Sequence, residues 1–514
     1  MAPVTSQASG NIRLKQPSGR WILLAAVLGS SMAMLDATVV NVALPTIGRD
    51  LHTSLGGLQW TVTAYTLTLA GLILLGGSLG DRMGRRRIFV TGVVWFAVAS
   101  ALCGLAPDIG VLIGARALQG VGGALLTPGS LAIIQASFVS DDRPRAIGAW
   151  SGLGGVAGAA GPLLGGWLVG AAGWRWIFLI NLPLAAVVVL VSLRHVPETR
   201  DPSAHGRFDV TGAVLAALAL TAITYALIEA PVSGTPQLVI TVAVGVAAAV
   251  AFVMVERRRG RPGEPTPPML PLDVFGSRQF TAVNVVTFVV YGAFGGVFFL
   301  LVLELQVVSG FSPLQAGLAL VPATVLMLLL SARAGALAQR VGPRWLMAGG
   351  TLTSAAGLLL LTRIGPDASY LADVLPGIAV FGLGLSATVA PLTATVLASA
   401  DVRHAGVASG VNNAVARAAG LLAVAGLPLA VGLSGAGLSA ADFESGFRKA
   451  MVVCAVLLAA GAVLSALTID NNVLRPEPGR TIPEPECLIN CAVGAPPLEP
   501  ADRPGSAVAG PARH

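Results

Sequence analysis

The chain has 514 residues, 54% of them hydrophobic and only 11% charged, less than half the roughly 25% charge of an ordinary soluble domain. That composition excludes a disordered polar chain and a water-soluble enzyme, whose surface needs charge; a polytopic membrane protein has lipid as its solvent. The net charge of +7 is spread in short basic clusters between apolar runs, with no continuous basic face, which speaks against a nucleic-acid partner.

A polar tail, 1–20, comes first. Apolar runs long enough to span a bilayer, about 20 residues each, then follow at 21–47, 58–79, 88–106, 109–135, 146–170, 175–193, 209–229, 236–255, 280–308, 313–337, 345–363, 371–398, 404–434 and 446–469, fourteen in all. The first run is too long for the core of a cleavable signal peptide and contains Asp36. Backbone groups in lipid must be paired within the segment, so these runs are expected to be helices; a barrel would show alternating ten-residue strands. Of the 32 Lys and Arg residues, Arg49, Arg175, Arg363, Arg448 and Lys449 fall in one alternating set of loops. Arg116, Arg333 and Arg417 fall inside runs, and all the others lie in the opposite set of loops and tails. The positive-inside rule therefore places both termini in the cytoplasm of a multi-pass plasma-membrane protein.

The stretch Gly77-Ser-Leu-Gly-Asp-Arg-Met-Gly-Arg-Arg86 after the second run returns 258 residues later as Gly335-Ala-Leu-Ala-Gln-Arg-Val-Gly-Pro-Arg344 after the tenth. The same offset aligns Ser151-Gly152 with Ser409-Gly410 and Trp21 with Gln279. The expected architecture is all-α: two six-helix halves, 21–195 and 279–470, with an inserted pair at 209–255 and a Pro- and Arg-rich linker at 256–278. Parallel halves around a central cavity are a transporter plan. The tail 471–514, rich in Pro, Glu and Gly, is expected to be disordered and cytoplasmic.

Asp36 lies about 16 Å from the outer end of the first run at 1.5 Å per residue. A carboxylate at that depth is costly and is a functional candidate, or else a permanent structural pair. Arg116, in the fourth run, sits at similar depth. It stays charged and needs an acceptor, which could be Asp36, a carbonyl or Gln119, and it either tunes the Asp36 proton or tethers helices. In the loop, Gly77, Gly80 and Gly84 permit close approach and positive φ. Asp81 can cap a helix or pair with Arg in the other half, and Arg82, Arg85 and Arg86 suit helix C-termini and anionic lipid. In the fifth run Gly154, Gly158, Pro162 and Gly166 fall at i+4 steps, with Gly161 and Gly165 beside them; this is a flat stripe for close helix packing, with Pro162 allowing a bend. Asn41, Trp60, Tyr65, Gln119, Tyr291, Asn412, Asn413 and Arg417 could line a cavity. Glu304 is expected near the water interface, and Arg333 snorkels near the inner end of the tenth run. Cys103 and Cys454 read as packing residues; Cys487 and Cys491 fit no zinc pattern. No Walker-type phosphate loop, metal-ligating cluster or soluble catalytic domain is evident, so the chain is expected to be neither an enzyme nor a cofactor protein.

These motifs together resemble, over about residues 20–470, the major facilitator superfamily, and within it the fourteen-span drug:proton antiporters related to quaternary-ammonium exporters. Gly77–Arg86 looks like the superfamily's loop motif between spans two and three, which implies control of conformational switching. Leu35-Asp36-Ala-Thr-Val-Val-Asn41-Val-Ala-Leu-Pro45 resembles the first-span signature of the fourteen-span branch. Arg116-Ala-Leu-Gln119-Gly-Val-Gly122 resembles the fourth-span motif, whose Arg is implicated in proton coupling. Gly154–Gly166 resembles the fifth-span antiporter motif, found in exporters and generally not in importers. The resemblance implies a proton-driven exporter of amphipathic organic compounds such as drugs or antibiotics, powered by the proton gradient and working as a monomer. One departure stands out: some exporters of cationic drugs carry an acidic residue in span ten, and 313–337 has none. That argues against divalent-cation cargo and leaves neutral, monovalent or zwitterionic amphiphiles. The rival readings are a nutrient importer or facilitator and a non-transporting membrane scaffold or sensor that works through its tail.

Overall fold

The computed structural model describes residues 12–139, 141–200, 209–230, 233–261, 264, 266, 268–399, 405–433 and 439–474. The tail expected at 471–514, with Cys487 and Cys491, lies almost wholly outside the described residues.

Helix occupies every expected run. The order is α1 Pro17–Asp50, α2 Leu55–Met83, α3 Arg85–Gly104, α4 Ile109–Ser137, α5 Arg143–Ala172, α6 Trp176–Leu179, α7 Asn181–His195, α8 Val210–Glu229 and α9 Thr235–Arg259. It continues with α10 Arg278–Val307, α11 Pro313–Val341, α12 Pro343–Leu361, α13 Leu375–Ala398, α14 Ala405–Ala430 and α15 Ala440–Thr468. The only β pairing among the described residues is an isolated bridge between Ile12 and Phe138. Twelve helices are long and apolar enough to cross a membrane, or thirteen if the two parts of α2, bent by 49° between Ile73 and Leu75, count as one span. The expected count of fourteen is thus not reached on length and composition. The helix outside the set is α12, whose 19 residues open on Pro343 and Arg344.

Local chemistry fixes the starts. Ser312 and Ser439 form capping boxes with Gln315 and Asp442, and Asp108, Asp209 and Ser277 accept from the first-turn amides of α4, α8 and α10. These side chains take up orphan N–H groups that lipid could not. The sharp turns between α2 and α3 and between α11 and α12 are made by Gly84 (φ 118°) and Gly342 (φ 92°), which occupy matching positions in the two copies of the loop. Any side chain is strained at both, because L residues rarely adopt these positive φ values; an added Cβ would also crowd the Glu198 side chain at Gly84, 2.6 Å from its Oε1, and the Asn471 side chain at Gly342.

The helix pairing repeats as well. α2 and α3 both pack on α4, α1 on α5 and α3 on α7; correspondingly α11 and α12 pack on α13, α10 on α14 and α12 on α15. The two sets meet through α5 against α11 and, symmetrically, α14 against α2. The inserted helices α8 and α9 pair with each other, and α8 leans on both α2 and α14. The linker is more tightly held than its composition suggests: Met269 N donates to Asp209, Leu270 N donates to Glu256 at 2.9 Å, and Arg259 pairs with Asp209.

Candidate functional site: a sealed ion pair behind a central cavity

The two ends of the bundle differ. At the end away from the Gly77–Arg86 loop the two sets are locked together. Gln59 Nε2 donates to the carbonyls of Val424 and Ala425 at 2.8 and 3.1 Å, and Gln306 Nε2 donates to Val42 O at 2.9 Å. There α5 and α11 run backbone to backbone: a Cβ on Gly166 would stand 2.5 Å from Pro313 O, and one on Gly317 would strike Pro162 O. Toward the loop end a Cβ on Gly80, Gly148 or Gly152 would meet no atom within 4 Å, nor would one on Gly155 or Gly158, which line the space between the sets. Among the described residues, the hydrogen bonds and closest backbone approaches between the two sets gather at the end away from the loop.

Between them lies a cavity of about 440 Å³, within the range of small-molecule sites. Its walls come from α1, α2 and α5 on one side and α10, α11 and α14 on the other. Thr38, Asn41, Thr63, Thr66 and Thr324 supply polar groups, Phe298, Phe299, Met327, Leu421 and Val424 apolar ones, and Arg417 a charge. Pro45 takes the amide donor from the carbonyl one turn earlier, that of Asn41, whose side-chain Oδ1 has no hydrogen-bond partner.

Directly behind the α1 wall lies the ion pair. Asp36 and Arg116 are 2% and 1% exposed. Arg116 Nη1 donates to Asp36 Oδ2 at 2.5 Å and to Gln119 Oε1 at 2.6 Å, and Arg116 Nε donates to Thr61 O at 3.0 Å. All three acceptors named from the sequence are therefore used. The guanidinium also lies 4.4 Å from the Tyr65 ring centroid. Gln119 Nε2 donates to Asp36 Oδ1 at 2.8 Å and to Ser100 Oγ at 2.7 Å, and Asn181 extends the chain to Ser100 at 3.4 Å. The carboxylate thus joins α1 to α4, and through Gln119 and Ser100 to α3 and α7. Asp36 does not touch the cavity, but its neighbours Ala37 and Thr38 do, as do Val62 and Thr63 beside Thr61.

Of the residues expected to line a cavity, Asn41 and Arg417 do so. Gln119 belongs to the ion-pair network instead, and Tyr65 is packed against Arg116. Trp60 Nε1 donates to Glu229 at 3.0 Å, tying α2 to α8. Tyr291 packs on Phe294, Asn412 bonds Asn284 and Thr287, and Asn413 accepts from Arg417 Nε at 3.0 Å. Glu304 is fully buried rather than at a water interface, with neither carboxylate oxygen hydrogen-bonded. Arg333 is exposed, its Nη1 on Leu329 O. Cys103 and Cys454 are buried free thiols.

Asp81 pairs with Arg85 at 2.8 Å within its own half, Arg86 Nη1 donates to Val196 O at 3.1 Å, and the amides of Arg86 and Arg87 donate to Glu198. The segment after α7 is thus one partner of the loop. The glycine stripe of α5 is not one seam either. Four residues advance 400° along a helix, so each i+4 step drifts 40°. Gly154 faces Met34 on α1, Gly158 and Pro162 line the cavity, and Gly166 meets α11. The close seam with α1 is made by Gly161 and Gly165, against Thr38 and Val39. Reading single residues missed the cavity threonines, although Gln59, Thr63 and Thr66 at i, i+4 and i+7 of α2 mark one polar face.

Residues 26–424 match the family description Major Facilitator Superfamily. The puromycin resistance protein pur8 of Streptomyces alboniger is 37% identical over 475 residues, 89% of this chain and 92% of that protein. A methylenomycin A resistance protein of Bacillus subtilis (strain 168) is 35% identical, with 91% and 99% covered. Among solved structures, a D-xylose-proton symporter superposes with TM-score 0.62 at 16% identity, over 88% of this chain and 98% of that one. A bacterial homolog of the human lysosomal transporter Spinster superposes with TM-score 0.61 at 19% identity, with 88% and 97% covered. Both show the fold.

Proposed function

The chain belongs to the Major Facilitator Superfamily, and from that premise we propose that it is a proton-coupled exporter of amphipathic organic compounds, drugs or antibiotics among them, in the plasma membrane. The observation that carries the reading is the Asp36–Arg116–Gln119 cluster, sealed behind the wall of a cavity that the two sets close off at the end away from the loop. The resistance functions in the names of its relatives support export. The positive-inside pattern puts the loop end in the cytoplasm, so the cavity opens inward and is placed to receive cargo from the cell interior or the inner leaflet.

In this state Asp36 is paired and holds α1 to α4. With cargo aboard, the two halves rock: the α5–α11 and α2–α14 seams part on the outside, and the loop-end glycines close on the inside. A proton from outside then binds Asp36, removes its charge and loosens its hold on Arg116 and Gln119. The wall residues Thr38 and Asn41 move with α1, so proton and cargo compete through the position of that helix. With Asp36 protonated, the carrier returns and releases its proton to the cytoplasm.

Cells lacking their own major exporters and loaded with Nile red, a neutral lipophilic dye, provide the test. The expected result is efflux by the expressed wild type that stops when a protonophore is added. Efflux that continues undiminished after the gradient is collapsed overturns proton coupling.

A further inference from the structure

Arg417 is a cation in the cavity wall with no anion to answer it. It lies on α14 and faces a space whose lining contains no Asp or Glu. Among the described residues no carboxylate lies within ion-pair distance of it; its protein hydrogen bond runs from Nε to Asn413 Oδ1, one turn earlier on its own helix. The ionisable groups that act on it are the phenols of Tyr65 and Tyr291. Of the carboxylates on the neighbouring helices, Asp36 is paired with Arg116 and Glu229 bonds Trp60, while Glu304, near the far end of α10, is not among the groups that act on Arg417. A guanidinium does not shed its charge, and Arg417 is half-buried in the cavity wall, where a charge without a partner is costly. With Nε on Asn413, the two Nη groups remain as a planar fork of the kind that grips a carboxylate in bidentate fashion. Around that fork the cavity offers Phe298, Met327 and Leu421 as apolar surface, and Thr63, Thr66 and the unpartnered Asn41 Oδ1 as polar contacts.

We propose that Arg417 is the anion-recognising residue of the cavity and that the cargo is an amphiphile bearing an acidic group, a carboxylate or an acidic phenol or enol, on an apolar body. The proposal rests on the reading of the cavity as the cargo site. It runs opposite to an exporter of lipophilic cations, which would place an acid where this chain places Arg417. It also gives the uncompensated charge a reason: the missing anion arrives with the cargo.

The test is equilibrium binding, which needs no gradient. Purified full-length protein in detergent is titrated with dansyl-labelled undecanoic acid and with its methyl ester, using empty micelles as the blank, for wild type, Arg417→Gln and Arg417→Lys. Gel filtration and thermal unfolding confirm that each variant is folded. One charge-assisted bidentate contact corresponds to a preference of at least about tenfold for the acid over the ester. Wild type is expected to show that preference, Arg417→Gln to lose it while keeping its affinity for the ester, and Arg417→Lys to retain part of it. Equal affinity for acid and ester in wild type, no binding of the acid, or a parallel loss of both ligands in Arg417→Gln overturns the proposal. A wild type that prefers the acid yet shows no protonophore-sensitive efflux of that same dansyl acid would instead sink the proton-coupled export reading, so the two failures are distinct.

Discussion

Removing both members of the Asp36–Arg116 pair should cost clearly less than the two single removals added together. In Asp36→Asn the Arg116 guanidinium, 1% exposed, keeps its bonds to Thr61 O and Gln119 Oε1 and its seat on Tyr65 but loses its only counter-charge. Breaking a buried pair in this way costs about 3–5 kcal/mol; the surviving contacts place the expected loss at about 3 kcal/mol. Arg116→Gln strands a buried carboxylate, which still receives the Gln119 amide at 2.8 Å, and a loss of about 2 kcal/mol is expected. The double variant Asp36→Asn/Arg116→Gln carries no charge and fills nearly the same volume, so its loss should be smaller than the sum of the two by at least about 1.5 kcal/mol. The assay is reversible unfolding of the purified protein in detergent, repeated at high salt, where a pair this buried should be little screened. Additive losses, or a coupling that disappears in salt, would refute the account of a dry, mutually dependent pair.

Two glycines of the loop should respond oppositely to alanine. Gly84→Ala forces a Cβ onto a φ of 118° and against Glu198, and should lose about 1–3 kcal/mol. Gly80→Ala places its methyl in open space within a helix and should be neutral or stabilising by up to about 1 kcal/mol; similar melting shifts for both would contradict the geometry. Gly152→Leu, with no atom within 4 Å of its Cβ in this state, should fold and bind cargo normally but export poorly, because the loop end could no longer close. Unimpaired efflux by that variant would argue against closure there.

Much of this was legible in the sequence for definite reasons. Lipid forces backbone pairing into helices, so apolar runs read directly as helices, and the 258-residue repeat of the loop anticipates paired turns at Gly84 and Gly342. Asp36 and Arg116 stood out because charges in apolar runs at equal depth have few partners but each other. Gln119 was misplaced into the cavity, although its i+3 spacing from Arg116 puts it on the same face of α4. The cavity threonines and Phe298 were not legible, because which face of a helix meets the cavity depends on rotations set by packing. The α5 stripe failed for the same reason: an i+4 row drifts around the helix and serves three neighbours in turn. Glu304 gives no sequence sign that both its oxygens end up without a hydrogen bond.

The most direct test of the central claim, that Asp36 carries the proton that drives transport, uses proteoliposomes containing wild type or Asp36→Asn. An imposed pH gradient should drive Nile red uphill in wild type, with a matching proton flux read by a trapped pH dye. Asp36→Asn should move no protons and accumulate no dye against its gradient, yet still equilibrate the dye downhill. Uphill transport and proton flux by Asp36→Asn at wild-type rates would contradict the account.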